Sequence, residues 1–271
     1  MKLRDKLNSL EGYQEIIDLN IQFIKERFEK IENLKQDEKE GIQKYPKPNN
    51  EIIKSTKDSI INYYIDLIKA EYSIGLGKQE VSDLYQDYLN FFILTGEAKS
   101  AKDFLYGENP IPYYSTDQYD ILLFTFSLAI LLNINDEDFK KLVTVRDIVH
   151  EPDKLLDFMI NYKLGGRTTS VEMKANEYKS YSTIIDIAIT NKEKGIQALN
   201  QYLSKQWFKD YKKMGWSESH KSKHNIHSGY WSFESGALVK ILGLDDTLLK
   251  NQPYYPYDMV HWEKYHNGTK R

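Results

Sequence analysis

The chain has 271 residues, 41% of them apolar and 28% charged, with a formal net charge of -3. That balance suits a soluble globular protein of one large or two ordinary domains, and it does not suit a body that is basic throughout. Cysteine is absent, which excludes disulfides and cysteine-ligated metals.

The longest nearly apolar run, Ile121 to Leu132, is interrupted by Thr125 and Ser127. It falls short of the ~20 residues that span a bilayer, so no membrane partner is expected. The opening residues, Met1-Lys2-Leu3-Arg4-Asp5-Lys6, turn polar at once and lack the apolar stretch of a signal peptide. A cytoplasmic location is therefore expected. The 21 tyrosines permit a protein interface, because tyrosine combines contact area with a polar tip.

Taken in chain order, the apolar period is helical. Leu10, Tyr13, Ile17, Ile21, Ile24, Phe28 and Ile31 recur at steps of three and four and predict one face of a long helix. Tyr45-Pro46-Lys47-Pro48-Asn49-Asn50 predicts a loop, since proline lacks the donor a helix needs. A second face runs through Ile53, Ile60, Ile61, Tyr64, Ile68 and Tyr72. A third uses Val81, Leu84, Tyr85, Tyr88 and Phe92 and ends near Gly96. Gly107-Glu108-Asn109-Pro110-Ile111-Pro112 is the clearest boundary; Ser115 and Gln118 then have capping-box spacing ahead of an apolar helix from about Tyr119 to Leu132.

Asn135 is placed to cap a helix opened by Asp136-Glu137-Asp138. Pro152 suits the first turn of the next helix, which stops at Gly165-Gly166. Further helices are predicted around 178–190, 193–213 and 230–242. Strand alternation and hairpin dipeptides are missing. The expectation is an all-α chain of two packed helical domains, residues 1–108 and 116–262, built from antiparallel helix pairs.

Four constellations bear on chemistry. His220, His224 and His227 stand at steps of four and three, a spacing that puts imidazoles on one helix face and suits zinc. The surrounding glycine, serines and asparagine predict an exposed polar loop instead, so no metal is assigned. Residues 205–227 hold six lysines against Asp210 and Glu218, interleaved with Trp207, Phe208, Tyr211 and Trp216. Basic groups with stacking aromatics suit single-stranded nucleic acid. However, Leu199, Leu203, Trp207 and Tyr211 fall at helical spacing, which points those rings to the core, and no direct nucleic-acid contact is expected. Glu234 lies in an apolar helix, where a buried carboxylate needs a partner; Arg167 or a lysine is expected rather than a catalytic role.

The stretch from Glu80 to Asp138 carries eleven acids against two bases, a net -9. Asp117 and Asp136 to Asp138 sit at helix starts, where negative charge is locally favourable. The missing lysines are not explained that way, and a surface this acidic suits a basic partner.

The most informative segment is Gly229-Tyr230-Trp231-Ser232-Phe233-Glu234-Ser235-Gly236-Ala237-Leu238-Val239-Lys240-Ile241-Leu242-Gly243-Leu244-Asp245-Asp246, followed by Gln252-Pro253-Tyr254-Tyr255-Pro256-Tyr257-Asp258. It reads as a short buried helix ending at Gly243 and then an aromatic–proline crossing. This segment resembles the C-terminal domain of the PoNi immunity proteins, which neutralise PoNe-type bacterial DNase toxins, and the N-terminal half resembles the helical domain that precedes it there. The resemblance implies an immunity protein that binds a cognate toxin of the PD-(D/E)xK nuclease class stoichiometrically, without catalytic residues or cofactor. On the residues alone, a helical adaptor for another protein and a metal-dependent hydrolase using His220, His224 and His227 stay open. The expected toxin contacts are Asp83 and Asp87, four apart on one helix face, with Asp120 and, after the proline turn, Tyr113 and Tyr114.

Overall fold

The computed structural model describes residues 2–97, 116–148, 152–173 and 178–266. Among these residues the regular structure is entirely helical. The Gly107 to Pro112 boundary and the Ser115 cap lie outside the described residues. The chain forms two compact units, one of residues 1–95 with 218–230 and one of residues 96–217 with 231–271.

The first unit is built on α1 (Leu10–Lys39), α2 (Asn49–Ile74) and α3 (Lys78–Glu97). Ser9 caps α1, its hydroxyl accepting the Gly12 N–H at 2.9 Å. Arg4 N–H donates to Ser73 O at 2.8 Å, so the start of α1 meets the end of α2 and the pair is antiparallel. Tyr13, Ile16, Ile17, Ile24 and Ile31 of α1 pack with Ile60, Leu67, Ala70 and Ile74 of α2. Ile21, predicted on this face, is 52% exposed, and Leu10 and Phe28 are exposed as well. The buried stripe is rotated toward Ile16, Asn20 and Leu34, because α2 covers only part of a wide apolar arc. On α3, Val81, Tyr85, Tyr88 and Phe92 are buried as the period predicts.

In the second unit, α4 (Thr116–Leu132) is buried on every side from Leu122 to Leu132, which explains a run that is apolar but for Thr125 and Ser127. α5 (Asp136–Arg146) starts as predicted, with the Asn135 side chain accepting the Asp138 N–H at 2.9 Å. α6 (Lys154–Leu164) begins two residues beyond Pro152, because Asp153 takes the capping position and accepts the Leu155 and Leu156 N–H groups at 3.0 and 2.9 Å. α7 (Lys179–Thr190) and α8 (Lys192–Lys205) form a hairpin turned by Asn191 alone. The helix predicted over 193–213 is interrupted at Gln206 and continues as α9 (Trp207–Asp210) and a 3-10 turn, Tyr211–Lys213.

α10 (Phe233–Leu242) packs against α4, followed by α11 (Tyr257–His266). It starts three residues later than predicted, with Ser232 at the capping position and its N–H donating to Tyr254 O at 2.8 Å. Gly243 ends it in the left-handed conformation (φ 58°) that its sequence position predicts. Gly236 allows the close approach, since a Cβ there would lie 2.9 Å from Pro256 Cγ and 3.1 Å from Val260 Cγ2.

Candidate functional site

Three places in the described residues gather functional side chains: the outer face of α3, the segment 218–230 on the first unit, and the surroundings of Glu234 in the second.

On α3, Asp83 and Asp87 are both exposed, as their spacing predicts. Gln79 donates to Asp83 Oδ1 at 2.7 Å, a neutral contact that leaves the carboxylate charge unpaired by it. The same exposed side carries Asn90 and Leu94, the latter 67% exposed. Tyr113 and Tyr114 lie outside the described residues. Asp120, on α4 in the second unit, is half-buried and accepts hydrogen bonds from Tyr178 OH at 2.7 Å and Trp216 Nε1 at 3.3 Å. Its oxygens hold two aromatic side chains in place, a role invisible to charge counting.

The segment 218–230 is the exposed loop predicted for it from Lys221 to His224 and at Ile226, and departs from that expectation at its end. It contains a 3-10 turn, Ser219–Lys221, and then runs along the first unit with His227, Ser228, Gly229 and Tyr230 buried. His227 Nε2 meets Asp5 Oδ2 at 3.1 Å, and its Nδ1 meets Ser219 Oγ at 3.0 Å. Burial works to raise the Asp5 pKa, but its bonds to His227 and to the Leu7 N–H prevail and hold it below the ordinary carboxylate value. An ionised Asp5 only accepts, so the His227 ring donates to it from Nε2. His220 Nδ1 lies 2.7 Å from Tyr230 OH, while burial and then the His227 ring hold the His220 pKa below its usual value. Ser73 donates to Ser228 O at 3.0 Å and Ser228 donates to Asp66 at 2.9 Å. His224 is exposed. The histidines thus point to separate partners, and among the described residues no three His, Asp or Glu side chains converge as a metal ion requires.

Between this segment and the first turns of α1 runs an open groove of about 470 Å³. Its floor is cross-braced: Asn8 Nδ2 donates to Asn225 Oδ1 at 2.8 Å, and Asn225 Nδ2 donates to Gly12 O at 2.8 Å and Glu15 Oε2 at 2.7 Å.

Glu234 is 7% exposed, yet its partner is not the cation that the sequence predicts. Oε1 accepts from Tyr181 OH at 2.6 Å, Ser232 Oγ at 2.8 Å, Trp207 Nε1 at 2.9 Å and Tyr211 OH at 3.1 Å. Burial raises the Glu234 pKa, and those donors oppose the shift. Arg167 instead forks onto Asp147, with bonds of 2.9 and 2.8 Å, and reaches Asp157 at 2.7 Å through Nε. Trp207 and Tyr211 are buried as their helical spacing predicts, while Lys205, Lys209 and Lys212 face solvent. The two rings are therefore committed to Glu234, and the lysines form the solvated side of the segment.

Two family models match in tandem: "PoNe immunity protein (PoNi), N-terminal" over residues 4–144, and "PoNe immunity proteins (PoNi), C-terminal" over residues 151–259. Among solved structures, the crystal structure of protein PA2201 from Pseudomonas aeruginosa is similar, with a TM-score of 0.57 and 21% identity over 79% of this chain and 76% of that chain. That likeness is one of fold. No curated protein matches the chain. No helix among the described residues is long and apolar enough to cross a membrane.

Proposed function

Because the chain belongs to the PoNe immunity protein (PoNi) family, we propose that it binds a cognate PoNe-type DNase toxin stoichiometrically in the cytoplasm and neutralises it without turnover or cofactor. The observation that carries this reading is the tandem match of both family modules across residues 4–144 and 151–259. Charge supports it: a nuclease must be basic where it holds phosphates, and eleven acids against two bases lie between Glu80 and Asp138. Opposite potentials accelerate encounter, and a rigid helical surface then blocks or immobilises the enzyme.

Asp83 and Asp87 lead the proposed contact surface, because both are exposed and neither caps a helix. Tyr113 and Tyr114 are proposed as aromatic anchors on sequence grounds. Asp120 belongs to the proposal as part of the same acidic stretch, although its hydrogen bonds to Tyr178 and Trp216 give it structural work already.

Co-expression with a PoNe-type toxin encoded beside this gene tests the reading. Survival of the cells and co-purification of the two chains are expected. Death of cells holding abundant folded protein, with no complex recovered, would reject it.

A further inference from the structure

The groove on the first unit has features that the α3 surface does not account for. At about 470 Å³ it falls in the ~300–1,000 Å³ range of sites that accept a side chain or small ligand. Two large aliphatic side chains stand exposed on its walls, Leu7 at 50% and Ile226 at 57%. Ile226 is exposed although both neighbours are locked: Asn225 is bonded to Asn8, Gly12 and Glu15, and His227 is buried against Asp5 and Ser219. The aliphatic group is therefore presented by a fixed backbone, which lowers the ordering cost of binding.

The α1 wall adds Glu11 and Glu15, one helical turn apart. Neither forms an ion pair among the described residues; the bond to Glu15 comes from the neutral Asn225 amide. Lys223 and His224 stand on the opposite wall, both exposed. An aliphatic rim beside unpaired carboxylates matches a lysine or arginine side chain, whose alkyl stem packs on apolar surface while its charged head seeks an acid.

We propose that this groove is a docking pocket for a lysine or arginine side chain of the DNA-cutting toxin, with Leu7 and Ile226 taking the stem and Glu11 and Glu15 the charge. The proposal rests on the immunity reading above. It assigns the first unit, through the segment 218–230, a contact that lies apart from the charged residues of α3.

The test uses the full-length protein and the inactivated nuclease domain that co-purifies with it. Affinity is measured for wild type, Ile226→Arg, Ile226→Leu, Glu11→Lys and Glu11→Gln, each checked for an unchanged melting temperature. Ile226→Arg and Glu11→Lys are each expected to weaken binding tenfold or more. Ile226→Leu should bind as wild type, and Glu11→Gln should fall between. If Ile226→Arg fails to fold, the two Glu11 variants decide alone, because Glu11 is exposed. Wild-type binding with every variant within twofold overturns the pocket and leaves the immunity reading standing. Failure of the wild type itself to bind the nuclease overturns that reading and the pocket with it.

Discussion

Glu234 shows how one buried acid can organise its surroundings. Its Oε1 accepts hydrogen bonds from four side chains, three of them the aromatic donors Tyr181, Trp207 and Tyr211. Removing the acceptor strands Trp207 Nε1 and Tyr211 OH, while Tyr181 and Ser232 keep Ser235 within reach; each buried unsatisfied donor costs ~1–3 kcal/mol. Glu234→Ala is thus expected to lose about 3 kcal/mol or more in denaturant unfolding. Glu234→Gln keeps an acceptor oxygen and should lose much less; equal losses would show that shape, not hydrogen bonding, dominates. Glu71 gives a pH-dependent case on the first unit. Burial, and then the Glu80 carboxylate, push its pKa up to about 7 from 4.5. The folded state then binds this proton more tightly than the unfolded state does, so the group costs stability progressively as pH rises from 4.5 to about 7. Glu71→Gln should be more stable than wild type at pH 8, with the advantage shrinking toward pH 4.5. Urea midpoints at several pH values measure it, and an advantage independent of pH would refute the assignment. His227 has a related structural duty: His227→Ala removes the ring between Asp5 and Ser219, so a stability loss is expected where the exposed His224→Ala should be neutral.

Among the elements, α10 shows how a ten-residue helix holds a fold together. Its small residues let it approach α4, and Trp231 and Phe233 at its start are buried. Trp231→Ala should cost on the order of 3–5 kcal/mol, the usual range for a buried tryptophan. Lost toxin protection should accompany lost folding. A Trp231→Ala protein that melts at the wild-type temperature yet fails to protect would make Trp231 a contact residue instead. α3 works differently, with a buried side of Val81, Tyr85, Tyr88 and Phe92 and an exposed side of Asp83, Asp87, Asn90 and Leu94. A helix so divided can present charge to a partner without losing its core.

At the scale of the molecule, charge distribution governs the encounter. Exposed acids chiefly set the association rate, and salt screens them over about 10 Å at 0.1 M. Asp83→Lys with Asp87→Lys should therefore slow toxin association severalfold, and added salt should shrink the difference from wild type. Binding kinetics at low and moderate salt measure this on variants of unchanged thermal stability. An unaltered association rate would remove this side of α3 from the interface. Chain path matters as well: the family division falls between residues 144 and 151, whereas the compact units exchange chain near residue 95 and again around 218–230. Residues 218–230 lie within the C-terminal family module by sequence and pack with residues 1–95 in space.

The sequence by itself determined what depends on near neighbours. Apolar steps of three and four placed α1 to α3, Asn135 announced the start of α5, and Gly243 announced the end of α10, because helices and their caps close over three or four residues. The exposure of Asp83 and Asp87 was legible for the same reason. Tertiary structure alone decided the rest, through partners remote in sequence. Asp5 and His227 are 222 positions apart, and Trp216 is 96 from the Asp120 it binds. Glu234 chose tyrosine, tryptophan and serine over a cation because those donors meet around it, while Arg167 was already held by Asp147 and Asp157. No local period encodes such choices: a polar residue declares its need for a partner in the sequence, and only the folded chain decides which partner arrives.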